Sequence, residues 1–277
     1  MLLSALVDRY ELSHDIKSSS AAQLRWTVRG FDKFLERPAT VEDLDPDAVN
    51  RHLKSLRDAG KADTTVKNRR GNLLTIWRAA KRMGLTKARP KGVRKIRLAR
   101  AAPVAWTQDE VTRLLRTAAV LPGKIRGLGL SAARWWSAFI LLAWDTGLRR
   151  CDLLAMRHSD IRSGWVVVVQ AKTGQTIHCR LHDATLAAIK ELGTEGKVLP
   201  WRGMTAFYRH FSALMKAAGL TGKPKWLRRS SGTAVELAHP GQGGRHLGHL
   251  TPGMAERHYL DPAILARAKP MPPPLAG

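Results

Sequence analysis

Apolar residues recur at helical spacing along almost the whole chain, and only residues 165–181 break into short strand-like runs. That pattern restricts the fold to a mainly α architecture carrying one small antiparallel sheet. Leu2, Leu3, Leu6, Val7 and Tyr10 open the series, and Ser18–Ser20 precede a second helix with Leu24, Val28, Phe31 and Leu35 on one face. Asp45-Pro46 starts a third helix, burying Val49, Leu53 and Leu56 and closed by Gly60. A fourth begins near Asp63-Thr64 and turns Val66, Leu73, Trp77 and Ala80 inward, leaving Lys67, Arg69, Arg70, Arg78, Lys81 and Arg82 on its other faces. Further on, Thr107 and Glu110 read as a capping box with a Trp106–Val111 staple. A Trp- and Leu-rich core helix spans about 132–144, and helices follow at about 183–192, 205–218 and 226–237. Trp165–Val169 and Thr176–Leu181, split by Lys172-Thr173-Gly174, form the hairpin.

Charge narrows the partner. Lys and Arg number 47 against 22 Asp and Glu, a formal charge of +25 on 277 residues, with a pI near 11.1. Both halves share the excess, so a polyanion, and nucleic acid ahead of a membrane surface, is the expected partner. Residues 87–100 hold seven Lys/Arg and no acid, with Pro90 and Gly92 among them. They read as a linker lying along phosphate, giving a helical domain over 1–88, a basic linker over 89–104, a second domain over 105–268 and a Pro-rich tail over 269–277. Lys67, Arg70, Arg78, Lys81 and Arg82 on the fourth helix, and Lys91, Arg94, Lys95 and Arg97 in the linker, are the expected DNA-backbone contacts. Cys151 and Cys179 make no disulfide framework and no close-spaced zinc pattern. No apolar run reaches the roughly 18 residues that a membrane span needs. A soluble protein of the cytoplasm is expected, with no membrane partner.

Near the C-terminus lies Leu247-Gly-His-Leu-Thr-Pro-Gly-Met-Ala-Glu-Arg-His-Tyr259. Thr251 reads as an N-cap and Pro252 as the first helical residue, with Met254 to Tyr259 helical. A phenol, with an ordinary pKa of about 10, needs cationic neighbours or a base to act as a nucleophile. Three other stretches offer them: Thr146-Gly-Leu-Arg149-Arg-Cys-Asp152, Lys172 on the hairpin, and Lys225-Trp-Leu-Arg228-Arg229.

These four pieces, in this order, resemble the tyrosine recombinase (phage integrase) family, and the resemblance extends over nearly the whole chain. It implies an N-terminal helical core-binding (SAM-like) domain and a mostly helical catalytic domain with a small antiparallel β-sheet, the two closing as a clamp around duplex DNA. Arg149 matches the first catalytic arginine, Lys172 the hairpin lysine, Arg228 the second arginine, His249 the position after Leu-Gly, and Tyr259 the nucleophile. Asp152 falls where the family carries a bracing acid, and Arg229 supports Arg228. Lys225 stands where histidine is common, and His249 and Tyr259 are ten residues apart, one more than the usual spacing. The implied activity is cleavage and rejoining of DNA through a 3′-phosphotyrosyl bond without metal, cofactor or ATP. The implied partners are double-stranded DNA, the chain itself as a dimer on each site and a tetramer at synapsis, and an accessory directionality factor. The helical reading begins within the first ten residues, so a simple site without a separate arm-binding domain is expected.

Other readings stand beside this one. The same chemistry serves a type IB topoisomerase-like relaxation, and a basic clamp without cleavage would be a DNA-binding relative. Arg229 rather than Arg228 is an alternative phosphate ligand, Tyr208 between Phe207 and Phe211 reads as packing, and His246, His249, His178 and His182 lack the convincing cysteine or histidine set of a zinc site.

Overall fold

The computed structural model describes residues 1–99, 101–125, 127–249 and 253–266. The chain divides into two compact units, Met1–Arg100 and Ala101–Gly277.

The first unit is built from α1 (Leu3–Ser13), α2 (Ser18–Leu35), α3 (Pro46–Asp58) and α4 (Asp63–Arg82). Its core joins Leu3, Leu6, Val28, Phe31, Val49, Leu53, Val66, Leu73 and Trp77, the stripes that helical spacing selects. The Asp45 carboxylate accepts the Ala48 N–H at 2.8 Å, which fixes the start of α3. Arg69 departs from the expected exposed face. It is only 6% exposed, donates to Thr27 Oγ1 at 2.8 Å and lies over the Trp26 ring. Its place three residues after Val66 and four before Leu73 puts it on the inward stripe, where its long stem packs and its head finds an acceptor and an aromatic face.

Residues 92–96, read from the sequence as linker, pack against this unit. Val93 and Ile96 are buried in its core. Asn50 clasps the segment from α3, accepting the Arg94 N–H at 2.9 Å and donating to Gly92 O at 3.1 Å. Arg70 holds it from α4 through Arg94 O at 2.7 Å and Val93 O at 3.2 Å.

The second unit gathers α5 (Gln108–Ala119), α6 (Ala132–Thr146), α7 (Arg150–Ala155), α8 (Asp183–Lys190), α9 (Met204–Ala217), α10 (Lys225–Ala238), α11 (Gly243–His246), α12 (Met254–His258) and α13 (Pro262–Ala266). Strands β1 (Ile161–Arg162), β2 (Trp165–Val169) and β3 (Thr176–Arg180) form one antiparallel sheet in the order β1-β2-β3. The β2–β3 register runs from Trp165↔Arg180 to Val169↔Thr176. The two-residue β1 is too short to carry a period and escapes the sequence reading. Trp135, Trp136, Phe139, Phe207 and Phe211 fill the core, and α6 runs through it. The Thr107–Glu110 capping box is present, and Trp106 is buried against Phe211 and Trp226. Among the described residues no helix is long and apolar enough to cross a membrane.

His52, 1% exposed, sits between Phe31 and Phe34 with neither ring nitrogen hydrogen-bonded. Burial, reinforced by Arg69, pulls its pKa from 6.5 to about 4. The depressed value means that the folded state favours neutral His52. Its contribution is complete above the unfolded pKa and is lost as pH falls toward about 4, a loss of about 2–3 kcal/mol by pH ~4.5. Replacing His52 with Leu is therefore expected to shrink the drop in thermal midpoint between pH ~7 and pH ~4.5. An equal drop in variant and parent would show that His52 is not the acid-sensitive group.

Candidate active site

A cleft of about 660 Å³ in the second unit is lined by Arg149, Lys172, Lys225, Arg228, Arg229 and Tyr259, drawn from four separated stretches of sequence. Arg150, Cys151, Tyr208, Lys223 and His258 complete much of its wall.

Two glycines let the stretches meet. Gly147 ends α6 in the left-handed conformation (φ 56°), and a Cβ there would lie 2.8 Å from His246 Nε2 and from Leu247 Cδ2. Gly248 has φ 67°, and its Cβ would come within 2.3 Å of Ile177 Cδ1. Neither position has room for a side chain, so these two turns can touch only as glycine.

Arg228, on the first turn of α10, ties the turns together. It is 3% exposed and donates through one terminal nitrogen to Gly147 O at 2.5 Å and through the other to Leu247 O at 2.7 Å. The second nitrogen also lies 3.2 Å from His249 Nε2. Burial, and then the neighbouring Arg149, lowers its pKa to about 10, which leaves it charged at neutral pH. The guanidinium carbon lies 5.0 Å from the centre of the Tyr259 ring.

Arg149 follows the Gly147 turn and donates to Gln170 Oε1 at 2.5 Å. Asp152 is 2% exposed and accepts the Ala171 N–H at 3.0 Å, so the acid braces the root of the hairpin turn. Lys172 is exposed on that turn. Lys225 opens α10, exposed, with its pKa lowered by partial burial and then by the positive charges of Arg229 and Lys223. His249 does not line the cleft but stands behind Tyr259, ring centres 4.5 Å apart. Burial first, then Arg228 and Arg149, pushes its pKa to about 4, so the imidazole is neutral at physiological pH.

Tyr259 is half-buried and is the residue that follows α12, one place beyond the helix predicted to contain it. The helix is preceded by Gly253 in the left-handed conformation (φ 72°), and the expected cap residues Thr251 and Pro252 lie outside the described residues. Arg229 anchors this helix, donating to His258 O and to Val104 O, each at 3.1 Å. Two residues on, the buried Asp261 accepts the Ala105 N–H at 2.8 Å and donates its own N–H to Thr233 Oγ1 at 3.0 Å. The phenol is thus fastened to the same unit that holds the arginines.

Gln170 was not singled out from the sequence, and Tyr208 was misread there. Gln170 is fully buried between Arg149 and the lysine turn; its only signal is a polar residue ending the apolar run Val166–Val169. Tyr208 is 48% exposed on the cleft wall and its hydroxyl accepts from Arg150, which corrects the packing assignment. Helical rotation buries Phe207 and Phe211 and leaves Tyr208 outward. His246 braces the core through Ser231 Oγ at 2.7 Å, and His182 pairs with Asp145 at 2.9 Å. Among the described residues no group of three or more His, Cys, Asp or Glu is placed to hold a metal ion.

None of the ion pairs among the described residues involves Arg149, Lys172, Lys225, Arg228 or Arg229. Cations converge beside a phenol with no carboxylate in ion-pair contact with them among the described residues, an arrangement complementary to a phosphate with several oxygens. On the first unit, Lys67, Arg78, Lys81, Arg82, Lys91, Arg94, Lys95 and Arg97 are exposed, whereas Arg70 is half-buried and engaged with the carbonyls of 93 and 94.

No protein-family model matches the sequence. The integrases of Enterobacteria phage 434 and Escherichia phage lambda are 27% and 28% identical to it, over 283 and 291 residues, each comparison covering 94% of this chain and 76% of the relative. A lambda integrase dimer bound to a COC′ core site aligns with a TM-score of 0.72 at 25% identity, over 92% of this chain and 76% of that one. A lambda integrase tetramer bound to a Holliday junction gives 0.73 at 24% identity, over 94% and 78%. Motif order, fold and these relatives agree in the chain's similarity to the tyrosine recombinase (phage integrase) family.

Proposed function

We propose that this protein is a site-specific DNA recombinase that cuts and rejoins duplex DNA through a covalent bond between Tyr259 and a 3′-phosphate. The observation that carries the reading is the convergence of unpaired cations on a half-buried phenol in one cleft. Tyr259 Oη attacks the phosphorus and the P–O5′ bond breaks, its electron pair leaving with O5′. The Lys172 ammonium supplies the proton to that oxygen, the phenol gives up its proton to solvent, and the neutral imidazole of His249 hydrogen-bonds the phosphate. Arg149 and Arg228 hold the non-bridging oxygens, Lys225 adds a third donor, and Asp152 and Arg229 keep the turn and the tyrosine helix in place. The phosphotyrosine conserves the bond energy, so attack by a 5′-hydroxyl of another strand reseals the backbone and returns the phenol without ATP. These residues make up the reaction without calling on a metal or cofactor.

Residues 1–88 and the basic segment 89–104 are assigned to gripping the duplex, residues 105–268 to catalysis, and the tail 269–277 lies outside the described residues. The relatives' dimer on a core site and tetramer on a Holliday junction support a dimer on each site and a tetramer at synapsis here. An accessory protein would set direction, and the work is placed in the cytoplasm, at the nucleoid.

Tyr259→Phe is expected to abolish covalent protein–DNA adduct on a nicked suicide substrate while DNA binding persists, and Arg149→Ala to slow adduct formation by roughly 10²–10³. Undiminished adduct from the phenylalanine variant would remove Tyr259 from the reaction, and relaxation of any supercoiled plasmid would mark a topoisomerase rather than a recombinase. DNA affinity is also expected to fall steeply with salt as counterions are released. A flat dependence in a binding titration would contradict the assignment of the basic surfaces to phosphate.

A further inference from the structure

Gln170 is a fully buried polar side chain that bridges two of the chemical parts of the site. Its Oε1 accepts from Arg149 at 2.5 Å and from the Thr173 hydroxyl at 3.0 Å. A guanidinium has donors and no acceptor, so the amide oxygen must face it. The amide nitrogen, buried and without a hydrogen-bond partner among the described residues, points toward the third part: a Cβ on Gly248, next to His249, would lie 3.3 Å from it. The backbone of the same residue closes the turn that carries Lys172, donating to Gln175 O at 2.8 Å and accepting the Gly174 N–H at 2.9 Å. Lys172 itself is exposed on a turn with no ion pair among the described residues. What aims it is therefore the geometry of the turn's root, and that root is hydrogen-bonded to the arginine.

We propose that Gln170 is a positioning residue that couples Arg149 to the Lys172 turn, so that the arginine engaging a phosphate sets the lysine in line with the leaving oxygen. The proposal rests on the reading of the cleft as a phosphodiester-cleaving site. It does not require Gln170 to touch DNA. The side chain acts by sharing one oxygen between the group that holds the phosphate and the turn that delivers the proton. A simple structural role would slow every substrate alike, whereas coupling to the proton donor matters only when the leaving group needs a proton.

The test compares an ordinary phosphodiester with one whose bridging 5′-oxygen is replaced by sulfur. A thiol has a pKa of about 8.5, so a thiolate departs without protonation. Gln170→Met keeps the shape and deletes the shared acceptor. It is expected to slow single-turnover adduct formation on the ordinary substrate by on the order of 10- to 100-fold at unchanged DNA affinity. On the sulfur substrate it is expected to run within a few-fold of the parent chain. Thr173→Val, at an exposed position, deletes only the hydroxyl donor and is expected to give the same pattern more weakly. Equal slowing on both substrates would overturn the coupling. If Gln170→Met loses DNA binding through misfolding, Thr173→Val decides: no slowing on the ordinary substrate, or slowing that sulfur does not relieve, overturns it. A parent chain that forms no adduct with either substrate would instead remove the cleavage reading, and this proposal with it.

Discussion

The second unit depends on a buried guanidinium. Arg228 is withdrawn from solvent without a carboxylate partner, and its donors go to the carbonyls of Gly147 and Leu247. Burying an unpaired cation is costly, and hydrogen bonds to backbone oxygens offset only part of that cost. A phosphate held there, as proposed, would offset the remainder. The same contacts bring the turn after α6, the start of α10 and the turn before α12 into register, so the geometry needed to receive the anion exists before it arrives. Such preorganisation is what makes electrostatic stabilisation effective, because little rearrangement is left for the moment of reaction.

Around that cation, backbone and side chains divide the work. Gly147 and Gly248 bring two turns closer than any Cβ allows. Asp152 and Gln170 fix the root of the hairpin, while Lys172 on its turn is exposed. Arg229 and Asp261 perform the equivalent service for Tyr259, tying the end of α12 to α10 and to the segment before α5. Burial and the positive charge of Arg228 and Arg149 keep His249 neutral beside the phenol.

Much of this was legible in the chain, for local reasons. Helices with a clear stripe, such as α3 behind Asp45-Pro46 and α5 behind its capping box, announce themselves because capping and periodicity are properties of neighbouring residues. The hairpin around Lys172 is equally local. Arg69 was misread because a basic residue on a basic helix looks solvated until Trp26 and Thr27 of another helix are placed beside it. Tyr208 was misread because its two phenylalanine neighbours are core, and only the rotation of α9 against α6 turns the hydroxyl to the cleft. Gln170's only local signal is that it ends an apolar run; its bond to Arg149 reaches 21 residues back in the chain.

The residue types, their order and the net charge were settled by the sequence alone: a phenol, two arginines, a hairpin lysine and a histidine, in a mainly helical and strongly basic chain. Helical period, capping and charge are short-range or additive quantities, and a string of letters contains them in full. The tertiary structure decided which guanidinium is buried, which acid braces backbone rather than charge, and which glutamine joins the arginine to the lysine. Those are matters of contact between segments far apart in the chain. Burial and hydrogen-bond pairing, which set the charge state and orientation of each group, come into being only when those segments pack.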